Sequence, residues 1–291
     1  MDLQVVAGWV QISAMLLFAP LYFRVVAIFI LDQKFRTLEC YRIMIQIGIL
    51  HIISGVGVLA LGIKDVLHHD PLSLAALLAS AFPTIHRLIG MLDFVLALSR
   101  MKIICDLEYP QQIHTCLVVL NWAVNIPLHV AYIVPCCLAR TDQGIFFRYN
   151  FLNSFLAELF KVLAYYYQAV LCATLVVYGI LGSYLIYIKR KMGSVSTAKG
   201  EVRILLPAFM RFVFDMLLTV LWNYTPFKLT PSTRLAIALT HGVSILLLSP
   251  VLYILLISRL REKFFCCKKQ NIFTPRINPN EAFNSTSRLQ H

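Results

Sequence analysis

Seven runs of apolar residues, each roughly 20 residues or longer, decide what this chain can fold into. They lie at about 5–31, 41–63, 73–98, 113–138, 155–188, 204–224 and 235–258. A hydrocarbon core about 30 Å thick takes about 20 residues of helix to cross. Backbone polar groups inside that core can be satisfied only within a helix or a closed barrel. Runs of this length therefore read as spans. Composition points the same way: 59 % of residues are apolar and 14 % charged, against about 45–50 % and about 25 % in soluble domains. A soluble globular protein and a disordered chain are both excluded. The expected fold is an all-α membrane protein, a seven-transmembrane helix bundle over residues 1–258. A polar tail follows over 259–291, with a short amphipathic helix at about 259–268. The first run is too long for the apolar region of a cleaved leader and is read as span 1.

The net charge is +12. The basic residues stand in short loops between apolar runs, which points to a bilayer rather than nucleic acid as the partner. Seventeen of the 26 Lys and Arg fall in the first, third and fifth loops and the tail, against five in the alternate set. Excess Lys and Arg marks the cytosolic side. The expected N-terminus is outside and the C-terminus cytosolic, as an odd number of spans requires. Of the eight cysteines, most sit in apolar runs or near cytosolic ends, so mainly free thiols are expected.

Charges inside spans are costly and mark sites by default. Arg24 can snorkel to the headgroups, and Lys161 can pair locally with Glu158 three residues before it. Four others match in depth. At 1.5 Å per residue, Asp93 in span 3 and Arg211 in span 6 lie about 10 and 12 Å from the inner ends of their spans. Arg87 and Asp215 lie about 20 and 18 Å in by the same count. The expectation is that Asp93 pairs with Arg211, and Arg87 with Asp215, across a contact between spans 3 and 6. Arg211 and Asp215 are also four residues apart on one face, so a local pair is the alternative. Prolines at Pro20, Pro83, Pro127, Pro135, Pro207 and Pro250 set bundle geometry or act as hinges.

An intramembrane enzyme would need converging ligands or a nucleophile motif. The one cluster, His68-His69-Asp70, stands in a short loop with no helical partner, and no Gly-x-Ser-x-Gly occurs. No catalytic residue, metal site or cofactor is expected. A transporter using the intramembrane charges is the second reading, although no inverted repeat shows.

Several segments carry a family likeness. Glu39-Cys40-Tyr41-Arg42-Ile43-Met44 with Gly48-Ile49-Leu50 opens span 2. Leu96-Ala97-Leu98-Ser99-Arg100 closes span 3, and Ser249-Pro250-Val251-Leu252-Tyr253 lies in span 7. Arg259–Phe265 is followed by Cys266 and Cys267. Together these resemble the rhodopsin-like seven-helix G-protein-coupled receptors, and within them the nematode serpentine chemoreceptors, nearest the T-type class. The chain departs from the pattern in several places. His51 stands where an acidic residue is frequent, and Ser249 replaces an Asn. No cysteine opens span 3, and no Trp-Pro toggle sits in mid-span 6.

The resemblance implies a chemosensory receptor at the plasma membrane, in sensory cilia among other sites, coupled to a heterotrimeric G protein. Arg100 is then the G-protein contact, with a positive-inside anchor as its competing role, and Asp93, Arg211, Asp215, Pro250 and Tyr253 are in the coupling switch. Cys266 and Cys267 are acylated or free thiols. A small-molecule ligand would sit between the outer halves of the helices, near Phe82, His86, Arg87, His129, Lys161, Tyr165 and Tyr166. For each of these a bundle-stabilising polar contact is the competing role.

Overall fold

The computed structural model describes residues 3–70, 73–133, 139–142, 146–149, 154–192, 196–224 and 231–265. Ten helices and one hairpin are present among them. The helices are α1 (Leu3–Leu31), α2 (Gln33–Arg36), α3 (Glu39–Leu67), α4 (Leu74–Ala79), α5 (Phe82–Ile104) and α6 (Gln112–Ile133). The strands β1 (Ala139–Asp142) and β2 (Phe146–Tyr149) come next. They are followed by α7 (Ser154–Met192), α8 (Ser196–Tyr224), α9 (Pro231–Leu256) and α10 (Ser258–Phe265).

Among the described residues, six stretches of helix are long and apolar enough to cross a membrane: Leu3–Leu31, Glu39–Leu67, Leu74–Ile104, Gln112–Val130, Lys161–Ile188 and Leu235–Leu256. The remaining long helix, α8, spans 29 residues and carries Arg211 and Asp215 in its apolar stretch. The protein is a membrane bundle of helices, with the hairpin β1–β2 set between α6 and α7. Large apolar side chains such as Leu16, Leu17 and Phe23 point outward from α1. In water such a surface would aggregate, whereas in a bilayer it meets lipid.

α5 is the central helix. Leu92, Val95 and Leu96 on it are wholly buried in one apolar cluster with α1, α3, α9 and α10, centred on Tyr22, Phe29, Ile47 and Leu246. Its other face, at Ala97, joins Leu181 of α7 and Phe212 of α8 in a second cluster. A residue on α5 can therefore reach either half of the bundle. α1 and α3 cross where two glycines meet. A Cβ on Gly8 would stand 2.7 Å from the Gly62 carbonyl, and one on Gly62 would stand 2.9 Å from the Gly8 carbonyl. Small residues at such a crossing let two backbones touch, which is how helices associate where lipid supplies no hydrophobic drive.

The third apolar run is broken where the sequence suggested one span. α4 ends at Ala79 and α5 starts at Phe82, with Pro83 in its first turn. Pro83 therefore starts a helix, where its missing N–H costs nothing, rather than kinking one. Asp70 accepts from the backbone N–H groups of Ala75 and Ala76, both at 2.9 Å, and so anchors α4. The second span is longer than its apolar pattern. α3 continues to Leu67 and buries Lys64 and Asp65 against each other, 3.7 Å apart, with Gln4 of α1 donating to Asp65 at 3.2 Å. Pairing makes this burial tolerable. The polar segment after α6 holds an antiparallel hairpin, with Ala139 opposite Tyr149 and Asp142 opposite Phe146. Pro20, Pro127, Pro207 and Pro250 lie inside helices, while Pro135 lies outside the described residues.

Candidate functional site

Asp93 on α5 and Arg211 on α8 form an ion pair through one carboxylate oxygen and one terminal guanidinium nitrogen. Their side chains are 4 % and 2 % exposed. Depth matching from the sequence places these two charges together, and the structure brings them together. The pairing of Arg87 with Asp215 is not what the hydrogen bonds of Arg87 describe. Its Nε donates to Asn125 on α6 at 3.2 Å, and its terminal nitrogen to Thr84 on its own helix at 3.4 Å. Asn125 in turn donates to the Asn121 side chain at 3.0 Å, and Asn121 to the Leu88 carbonyl at 3.0 Å. This polar ladder between α5 and α6 draws Arg87 sideways. In the sequence, an uncharged Asn pair at i, i+4 carries no signal of cost.

Beside Arg87, His86 turns to a different neighbour, since adjacent helical residues diverge by about 100°. Its Nδ1 is 2.8 Å from the Phe82 carbonyl, and its Nε2 is 3.0 Å from Nε2 of His241 on α9. His241 is the functional candidate that the sequence reading missed. It stands in the seventh apolar run, and a count of formal charges skips a neutral imidazole. A second pair lies on the α1–α3 side, where the Tyr22 hydroxyl is 2.8 Å from Nδ1 of the buried His51.

The remaining expected ligand contacts divide. Tyr166 donates toward the Met91 sulfur at 3.6 Å and so touches α5. His129 is half-buried, and its Nδ1 meets no hydrogen-bond partner among the described residues. Lys161 and Tyr165 are 64 % and 70 % exposed on the outside of α7. Lys161 is held there by Glu158 at 2.6 Å. A cation that finds its partner on its own helix has no need to turn inward, so neither residue joins the His86 group.

At the opposite end of the bundle, Arg100 is buried one turn before α5 ends. Tyr109 folds back over that end, donating to the Leu98 carbonyl at 3.1 Å and meeting His114 at 2.8 Å. His114 reaches Glu39 at the start of α3 at 3.0 Å. Burial and the Glu39 charge push the Tyr109 hydroxyl above its ordinary pKa. Tyr253 is buried with its ring 5.8 Å from that of Phe29, and Pro250 and Ser249 are buried beside it on α9.

α10 is clamped to the first turn-over of the chain. Lys263 is 2.6 Å and Arg259 3.8 Å from Asp32, and Arg24 donates to the Phe264 carbonyl at 2.6 Å with its guanidinium 4.6 Å from that ring. Arg24 thus reaches a helix rather than only headgroups. Burial works against the charged form of Asp32. The hydrogen bond from Lys263, the Lys34 N–H and the charges of Lys263 and Arg259 outweigh it and hold the carboxyl below its ordinary pKa. Cys266 and Cys267 lie outside the described residues. Cys40, Cys105, Cys116 and Cys172 are free thiols.

This layout has a known counterpart. No family description and no curated protein sequence matches the chain. Its backbone is similar to that of squid rhodopsin, with a TM-score of 0.68 over 92 % of this chain and 88 % of that one. The fold is rhodopsin-like. At 9 % identity the likeness speaks for the fold alone. Within that fold the Asp93–Arg211 pair joins the central helix to α8, and the α10 clamp joins the last helix to the first.

Proposed function

We propose that the chain is a chemosensory receptor of the plasma membrane that binds a small molecule between its helices and signals to a heterotrimeric G protein. The N-terminus is outside and the C-terminus cytosolic. Residues 1–258 form the seven-helix domain and 259–291 the cytosolic tail. The subclass, a nematode serpentine receptor of the T type, rests on the residue resemblance of Glu39–Leu50, Leu96–Arg100 and Ser249–Tyr253.

One observation carries the reading. In a rhodopsin-like bundle, the buried charges of α5 and α8 face each other as a pair. Two charges placed in a bilayer core are costly and are best attested as switches. A transporter would draw on a charged path, and the pairing of Asp93 with Arg211 uses those charges up within the bundle.

In the resting form the pair holds α8 against α5. Ligand bound near Phe82, His86, Arg87, His129 and Tyr166 favours a form in which the inner ends separate and Arg100 meets the G protein. Asp215, Pro250 and Tyr253 take part in that separation.

Epitopes at Asp2 and His291 test the topology. The first is expected to stain on intact cells and the second only after permeabilisation. Both on one side would defeat the reading. Nucleotide exchange on purified G protein then tests coupling, with basal exchange lost in Arg100→Ala at equal surface expression. Acylation of Cys266 and Cys267 is read as a mass shift reversed by hydroxylamine.

A further inference from the structure

The His86–His241 contact has a feature that a plain polar contact between helices does not require. A carbonyl can only accept, so the 2.8 Å contact of His86 Nδ1 with the Phe82 carbonyl puts the ring proton on Nδ1. That leaves a lone pair on Nε2, aimed away from the helix. This is the arrangement by which metal-ligating histidines are held, with one ring nitrogen donating to a backbone carbonyl and the other free to coordinate. The opposing atom is also a ring nitrogen, Nε2 of His241, at 3.0 Å. Ring centroids are 4.6 Å apart, and the ring planes are inclined at 40°.

Two imidazole nitrogens bound to one tetrahedral ion at about 2.0–2.1 Å stand roughly 3.3 Å apart. The observed spacing is within a few tenths of an ångström of that. No group of three or more His, Cys, Asp or Glu converges among the described residues, so water or a bound ligand would complete the shell.

We propose that His86 and His241 form a two-histidine site for a divalent transition-metal ion of the zinc, copper and nickel kind, bridging α5 and α9. These are the ions that imidazole suits. Without the ion, His86 Nε2 accepts a hydrogen bond from His241 Nε2–H. On binding, His241 moves its proton to Nδ1, and both Nε2 lone pairs face the metal. No proton is released and no redox change is needed. The site goes beyond the receptor reading and needs only the bundle, so its test has no signalling readout.

The experiment titrates zinc chloride into the full chain in lipid nanodiscs. It reads binding by competition with a zinc indicator, and Tm in parallel. One saturable ion per chain and a rise in Tm are expected. His86→Ala and His241→Ala should each weaken binding by at least about tenfold, the lower end of what losing even an outer-shell partner costs. The double variant should lose saturable binding altogether. His68→Ala and His69→Ala, in the exposed turn, should change nothing. Where an alanine variant fails to fold, His86→Gln and His241→Gln carry the test, and rescue of Tm by zinc should be absent in both. No saturable binding to the parent chain would overturn the site. So would binding that survives loss of both histidines, or binding that follows His68 and His69.

Discussion

Removing Arg211 leaves Asp93 buried and uncompensated, and removing Asp93 leaves Arg211 with only Asp215 of its own helix, beyond ion-pair distance. With both side chains under 5 % exposed, water cannot take over the lost interaction. Breaking such a pair costs about 3–5 kcal/mol. At about 2 °C per kcal/mol for a chain of this size, Asp93→Ala or Arg211→Ala should each lower Tm by roughly 6–10 °C. The double change removes both charges and should be far less damaging than the two single losses added, giving a coupling of roughly 3 kcal/mol or more.

Asp93→Leu with Arg211→Met replaces the pair by apolar volume and should recover most of the stability of the parent. The assay is a double-mutant cycle on purified chain in one detergent, read by thermal unfolding. If the pair also holds α8 against α5, the apolar double variant should show raised basal nucleotide exchange. Single losses that add to within about 0.5 kcal/mol, the scatter of independent sites, would refute the pairing as an energetic unit. Recovered stability with unchanged basal exchange would refute its role as a restraint.

Three further outcomes are expected. Asp32 has a lowered pKa, so its hold on α10 is complete above about pH 4, the ordinary aspartate range, and fades as pH falls through the lowered value; Asp32→Asn should reproduce the loss at neutral pH, seen as faster amide exchange over Ser258–Phe265. Gly8→Ala and Gly62→Ala should each destabilise by about 1–3 kcal/mol, because the new Cβ meets backbone that cannot yield; an unchanged Tm would mean the helices slide apart without cost. Tyr22→Phe leaves His51 Nδ1 without its 2.8 Å partner and should cost about 1–3 kcal/mol, whereas Tyr22→Phe combined with His51→Leu should recover part of it.

The membrane bundle is legible because a bilayer imposes length and apolarity on every span, and the depth of a charge follows from counting residues. That is how Asp93 and Arg211 can be matched from the sequence. Packing partners that carry no formal charge leave no such mark. His241, Asn121 and Asn125 are ordinary residues in an apolar run until the fold sets them beside His86 and Arg87. Helix ends are also poorly marked. Lys64 and Asp65 look like loop residues, yet they are buried as a pair because α1 covers them. The break between α4 and α5 is invisible to hydropathy, since Ser80 and Ala81 interrupt nothing apolar. Arg87 shows the limit of depth matching, because it fixes height along the bundle axis and leaves rotation about the helix open.

The contact of Arg24 with Phe264 joins residues 240 positions apart. A ribosome adds about 5–20 residues per second, so Arg24 waits on the order of 10–50 s before its partner is made. During that time α1 already lies in the membrane with the face meant for α9 and α10 bare. Something must occupy that face in the interval: lipid, an insertion factor or another nascent chain. Truncations that stop before Pro231 would keep α1 in that condition permanently, and the defect would show in the first helix rather than at the end that was cut.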